Sequence, residues 1–150
     1  MKTKLNSKSK QANRRAKISL LLVLAIVLIA PTFQSCKKYP DGPMFSIHTR
    51  TQRVSNTWKV ENYKINGSDY TSFVSSYTEI YSKTGTYSYI WGMANGSGTW
   101  AFQNDDKEIR LSGNDGQSSR VLTILKLEEK SFWYTWMDGN DKHELHLLPK

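Results

Sequence analysis

Between residues 57 and 148 the chain repeats one pattern. Short runs rich in β-branched and aromatic side chains are broken about every eight to twelve residues by glycine, asparagine or aspartate. This is the rhythm of antiparallel strands joined by tight turns. The first strand is expected over Thr57 to Ile65, closed by Asn66-Gly67, the dipeptide that suits a two-residue hairpin. Thr78 to Ser82 and Thr86 to Trp91 form a hairpin across Lys83-Thr84-Gly85, and Gly92 to Gly98 reads as a glycine-rich loop into Thr99 to Gln103. Lys107 to Ser112, Ser119 to Leu127, Ser131 to Met137 and Lys142 to Leu148 complete a set of eight. A short helical turn is expected within Asp69 to Ser76, with Asp69 as N-cap and Phe73 as its buried residue. Consecutive hairpins place sequence neighbours side by side, so the expected fold is all-β, an eight-stranded antiparallel up-and-down barrel. An open β-sandwich is the alternative, because strand number alone does not separate the two.

The first 35 residues belong to a different regime. Residues 1–17 carry seven Lys and Arg and no acid, and Ile18 to Ala30 form an apolar run interrupted only by Ser19. As a helix that run would span roughly 20 Å against a hydrocarbon core of roughly 30 Å, so it suits a secretory signal better than a membrane span. Phe33-Gln34-Ser35-Cys36 follows and resembles the lipobox of bacterial lipoproteins, with an apolar residue at minus three, a small one at minus one and the cysteine to be acylated. Cys36 is the sole cysteine, so no internal disulfide explains it in an exported protein, whereas thioether lipidation does. The division expected is a lipoprotein signal peptide over 1–35, a lipidated tether over 36–44 and a barrel over 45–150. A plain secretory signal and an uncleaved anchor are the alternatives.

Discarding the leader changes the charge argument. Seven of the 21 bases and none of the 13 acids lie within it, leaving 14 bases against 13 acids. The basic balance of the whole chain therefore says nothing about nucleic acid, and no nucleic-acid partner is expected.

Four stretches resemble the lipocalin-like domain of small envelope lipoproteins from Gram-negative bacteria. They are Asn56-Thr57-Trp58-Lys59-Val60, Asn66-Gly67, Gly98-Thr99-Trp100 and Leu122-Thr123-Ile124-Leu125-Lys126-Leu127, and the likeness extends over about residues 45–148. Asn56 stands where the lipocalin signature has glycine, while Trp58 matches its tryptophan. The resemblance implies an eight-stranded barrel with an apolar cavity and a tryptophan across its closed end. Lys37 rather than aspartate after the acylated position suggests, by the same kind of resemblance, release to the outer membrane.

The aromatic residues offer the main candidates for binding. Trp58, Tyr87, Tyr89, Trp91, Trp100, Phe102, Tyr134 and Trp136 are the expected lining of a site for a small apolar ligand, in competition with plain core packing. Strand alternation also forces one ring of Phe132-Trp133-Tyr134 outward, a contact surface for an envelope protein partner, as is the 92–98 loop. No metal is expected, since His143 and His146 are three apart in a strand and face opposite ways, with His48 far off. No cofactor and no catalysis are expected either. Asp105, Asp106, Asp115, Asp138 and Asp141 fall in turns, where aspartate serves local backbone bonding, and no catalytic motif occurs. The expected protein is thus a non-enzymatic lipoprotein, held in the outer membrane by palmitate-type acyl chains.

Overall fold

The computed structural model describes residues 39–41, 46–114 and 118–150. Lys37–Lys150 forms a compact unit of its own. A five-residue helix α1 (Arg50–Val54) leads into β1 (Thr57–Ile65). The chain then turns through a two-residue strand β2 (Ser68–Asp69), a 3-10 turn (Thr71–Val74), β3 (Thr78–Tyr81), β4 (Thr86–Trp91) and β5 (Ala94–Gln103). β6 (Glu108–Gly113), β7 (Arg120–Glu128), β8 (Ser131–Asp138) and β9 (Asp141–Pro149) follow.

The long strands pair antiparallel in chain order from β3 to β9, and β1 pairs with both β3 and β9. That last pairing closes the sheet, running from Trp58↔Pro149 to Ile65↔His143. The fold is therefore a closed eight-stranded up-and-down barrel with β2 as an extra strand, and the sandwich is excluded. Its ladder and its buried apolar cluster lie within one unit, so the barrel contains what it needs to fold by itself.

Asn66 and Gly67 adopt φ of 51° and 85° at the end of β1, as a twist-matched two-residue turn requires. The 92–98 segment departs from expectation. Only Gly92 and Met93 turn, and from Ala94 on the segment is strand rather than loop, because β5 pairs with β4 over Ala94–Thr99 and with β6 over Gly98–Gln103. Glycine lowers local strand preference, but the ladder to β4 overrides it, joined at Gly98 by the ladder to β6. Gly98 is there for close approach: a Cβ on it would overlap the Ser112 carbonyl and stand 3.1 Å from Gly113 Cα. Replacing Gly98 with alanine is expected to cost about 1–3 kcal/mol through forced separation of β5 and β6. Chemical denaturation reads this directly, and an unchanged midpoint would refute the close-approach argument.

One end of the barrel is plugged. Trp58, Ile109, Leu127, Phe132 and Leu147 are fully buried there, each contributing about 1.5–3 kcal/mol. α1 lies over this end. Thr49 and Gln52 cap it reciprocally, Arg53 Nη1 donates to the Leu127 carbonyl at 2.9 Å, and Trp58 Nε1 donates to the Val54 carbonyl at 2.8 Å. Tyr39, in the stretch expected to be tether, is buried in the same core, and its hydroxyl donates to the Asp106 carbonyl at 3.0 Å. Asn104, Asp105 and Asp106 form the β5–β6 turn with φ of 51° to 57°, a left-handed run these residue types tolerate.

Candidate functional site

Alternation along β3 sends Glu79 and Tyr81 inward, and Tyr77 joins them from the residue before the strand. Glu79 is 1% exposed. Its carboxylate oxygen Oε1 accepts from the hydroxyls of Tyr77, Tyr87 and Tyr134 at 2.8, 2.9 and 2.9 Å, and Oε2 accepts from Tyr81 at 3.1 Å. The hydroxyls of Tyr77 and Tyr87 also approach each other to 3.2 Å. Four rings from β3, β4, β8 and the preceding residue thus converge on one carboxyl, a buried polar layer with its partners supplied.

Burial pushes the Glu79 carboxyl above its ordinary value of 4.5, although the tyrosine hydroxyls pull it down. All four tyrosines are pushed upward, first by burial and then by the neighbouring carboxyl. A carboxyl whose folded pKa is raised contributes stability that is fully present below its unfolded value and drains away as pH rises through the folded one. The stability gap between the wild-type barrel and Glu79→Gln is therefore expected to shift in favour of wild type as pH falls from neutral toward 4.5. Urea denaturation at a series of pH values checks this, and a flat difference would reject it.

Above this layer the barrel is open. A cavity of about 360 Å³ lies at the mouth, lined by Tyr63, Tyr77, Tyr89, Trp91, Arg120 and Trp136 among others. Tyr70, Phe73 and Val74, from the segment around the 3-10 turn, complete its wall. Eight-stranded barrels are wide enough for packed side chains or one small ligand, and here one half is packed and the other is open. At the mouth, Tyr89 on β4 stands opposite Gly96 on β5, which brings no side chain of its own. The lining rings are ordered in stacked pairs, Tyr77 with Tyr89 at 5.7 Å and Tyr63 with Trp136 at 6.1 Å.

Polar groups at the mouth are few. The Arg120 guanidinium sits 5.3 Å over the Trp136 ring, and His143 stacks on that ring at 4.6 Å from the neighbouring strand. Tyr63 Oη lies 2.6 Å from His143 Nδ1. Burial pushes the Tyr63 hydroxyl up, and Arg120 opposes that shift.

Of the eight aromatics expected to line a site, Tyr89, Trp91 and Trp136 do so. Tyr87 and Tyr134 belong to the Glu79 layer beneath, and Trp58 and Trp100 are buried in the packed core. Phe102 lies toward the plugged end, beside a polar cleft with Arg50 and Asp106, which themselves form an ion pair. Phe73 was expected to be buried but is 72% exposed, because its turn is held by Asp69 and Tyr70 and lies across the rim, not inside it. Trp133 is the ring that points outward, covered by His146 at 4.0 Å and Lys126 at 4.5 Å. Among the described residues no group of three or more metal-binding side chains gathers. Cys36 and Asp115 lie outside the described residues.

Glu79, Tyr63, Tyr77 and Arg120 were missed by sequence reasoning. The available signal was the i, i+2, i+4 spacing of Tyr77, Glu79 and Tyr81, which puts a carboxyl on the same face as two rings. Arg120 stands two residues before the inward Leu122 in the same way. A scan against family models finds no match, and a search of curated proteins finds no relative.

Proposed function

We propose that this chain is a lipid-anchored, non-enzymatic lipoprotein of the outer membrane of a Gram-negative envelope, whose lipocalin-like barrel holds a small, largely apolar ligand. The observation that carries the reading is the aromatic cavity of about 360 Å³ above a solid plug. Its size falls within the usual range of roughly 300–1,000 Å³ for small-molecule sites, and its lining is mostly apolar with a few polar groups. The anchor rests on the leader and Cys36.

Native mass spectrometry of the barrel, residues 37–150, isolated from cells is expected to show a bound small molecule, or uptake of an added apolar amine such as phenylnaphthylamine. A bare mass under both conditions would overturn the binding role. Mass analysis of the full product is expected to show acylated Cys36, and an intact leader there would overturn the anchoring.

A second reading, docking onto an envelope protein, is favoured by exposed Phe73, Met93 and Met137 at the open end. Crosslinking in cells that returns one protein through these residues, together with an empty cavity, would favour it over the first.

A further inference from the structure

We propose that the ligand is an acid: a flat apolar body stacked among the mouth tyrosines and Trp136, with a carboxylate or sulfonate-type group held by Arg120. This deepens the binding role proposed above and rests on it. Arg120 is the one charged side chain among the described residues that line the cavity. Its guanidinium lies over the Trp136 ring, and among the described residues no carboxylate forms an ion pair with it.

The nearby buried acid, Glu79, is already occupied by four tyrosine hydroxyls and does not pair with Arg120. Among the described residues, the cavity lining therefore carries a cation and no carboxylate. The guanidinium carbon lies 5.3 Å from the Trp136 ring centroid, and a guanidinium offers its N–H donors as a planar fork, the chemistry that suits a carboxylate or sulfonate. Tyr63, near enough for Arg120 to bias its hydroxyl, adds a second polar group at the same level. The remainder of the lining is ring and aliphatic surface, which selects a planar apolar body. At interior packing density the cavity holds roughly fifteen to twenty non-hydrogen atoms. That is the size of a two- or three-ring acid, and too small for a diacyl lipid.

Two fluorescent probes that differ only by the acidic group test this on the barrel, residues 37–150. They are anilinonaphthalene sulfonate and the uncharged phenylnaphthylamine. The wild-type barrel is expected to bind the sulfonate roughly tenfold to a hundredfold more tightly than the neutral amine, the size of a charge-assisted hydrogen bond. Arg120→Gln is expected to erase that preference by weakening the sulfonate alone, and Arg120→Lys to restore part of it. Unchanged affinity for the neutral amine in Arg120→Gln shows that the cavity is intact. Equal binding of both probes, unmoved by Arg120→Gln, would overturn the acid while leaving a cavity that binds apolar molecules. Binding of neither probe would overturn both.

Discussion

Glu79→Ala is expected to destabilise the barrel by about 4–6 kcal/mol, a large share of the roughly 5–15 kcal/mol that holds a domain of this size together. The loss arises on the tyrosine side. Tyr77, Tyr81, Tyr87 and Tyr134 all donate to this one carboxyl, and three of these four bonds converge on a single oxygen. Truncation leaves those hydroxyls in a dry layer with only the Tyr77–Tyr87 contact as a partial substitute. Each stranded hydroxyl costs about 1–3 kcal/mol, and the vacated side-chain volume adds to that. Glu79→Gln keeps the shape and an acceptor oxygen, so its cost is expected to be about 1–2 kcal/mol. Urea denaturation at acidic pH measures both, and a Glu79→Ala midpoint close to wild type would show that the tyrosines find other partners.

Trp58→Ala is expected to cost about 3–5 kcal/mol, for a different reason. Trp58 is wholly buried, packs on Phe132 at 5.8 Å and ties the end of α1 to the barrel through the Val54 carbonyl. Its removal opens a void in the plugged half and frees that carbonyl at once. Because the void lies away from the mouth, phenylnaphthylamine affinity is expected to hold in the protein that remains folded. A variant that loses probe binding while its denaturation midpoint is unchanged would contradict the division of the barrel into plug and cup.

The strands and most turns were legible because period-two alternation and Asn66-Gly67 carry their information within a few residues. The strand from Thr57 to Ile65 has the bounds that alternation indicates. The 92–98 stretch was misread since Gly98 answers to Ser112 and Gly113 on the next strand, which no local pattern reveals. For the aromatics, alternation tells which side of the sheet a ring takes but not its height along the barrel axis. Tyr87 and Tyr89 share a face, yet one binds Glu79 and the other lines the cavity. Glu79 escaped notice because a charged residue in a strand is ordinarily an outward one. The convergence of β4 and β8 on it, invisible to local pattern, supplies two of the four hydroxyls that make burial tolerable.

The barrel wall is not uniform around its circumference. β1 bonds to β3 only from Thr57 to Lys59, and to β2 only at Lys64 and Ile65. Between these the wall is completed by the segment around the 3-10 turn, through Tyr70 N–H to the Tyr63 carbonyl and Tyr63 N–H to Thr71 Oγ1. Local opening draws on the weakest-held contacts first. A hinge at this seam would swing Tyr70, Phe73 and Val74 outward together while the long ladders stay zipped. Such a movement would widen the open mouth sideways, and it would draw on the contacts of one short turn, not on the stability of the whole barrel.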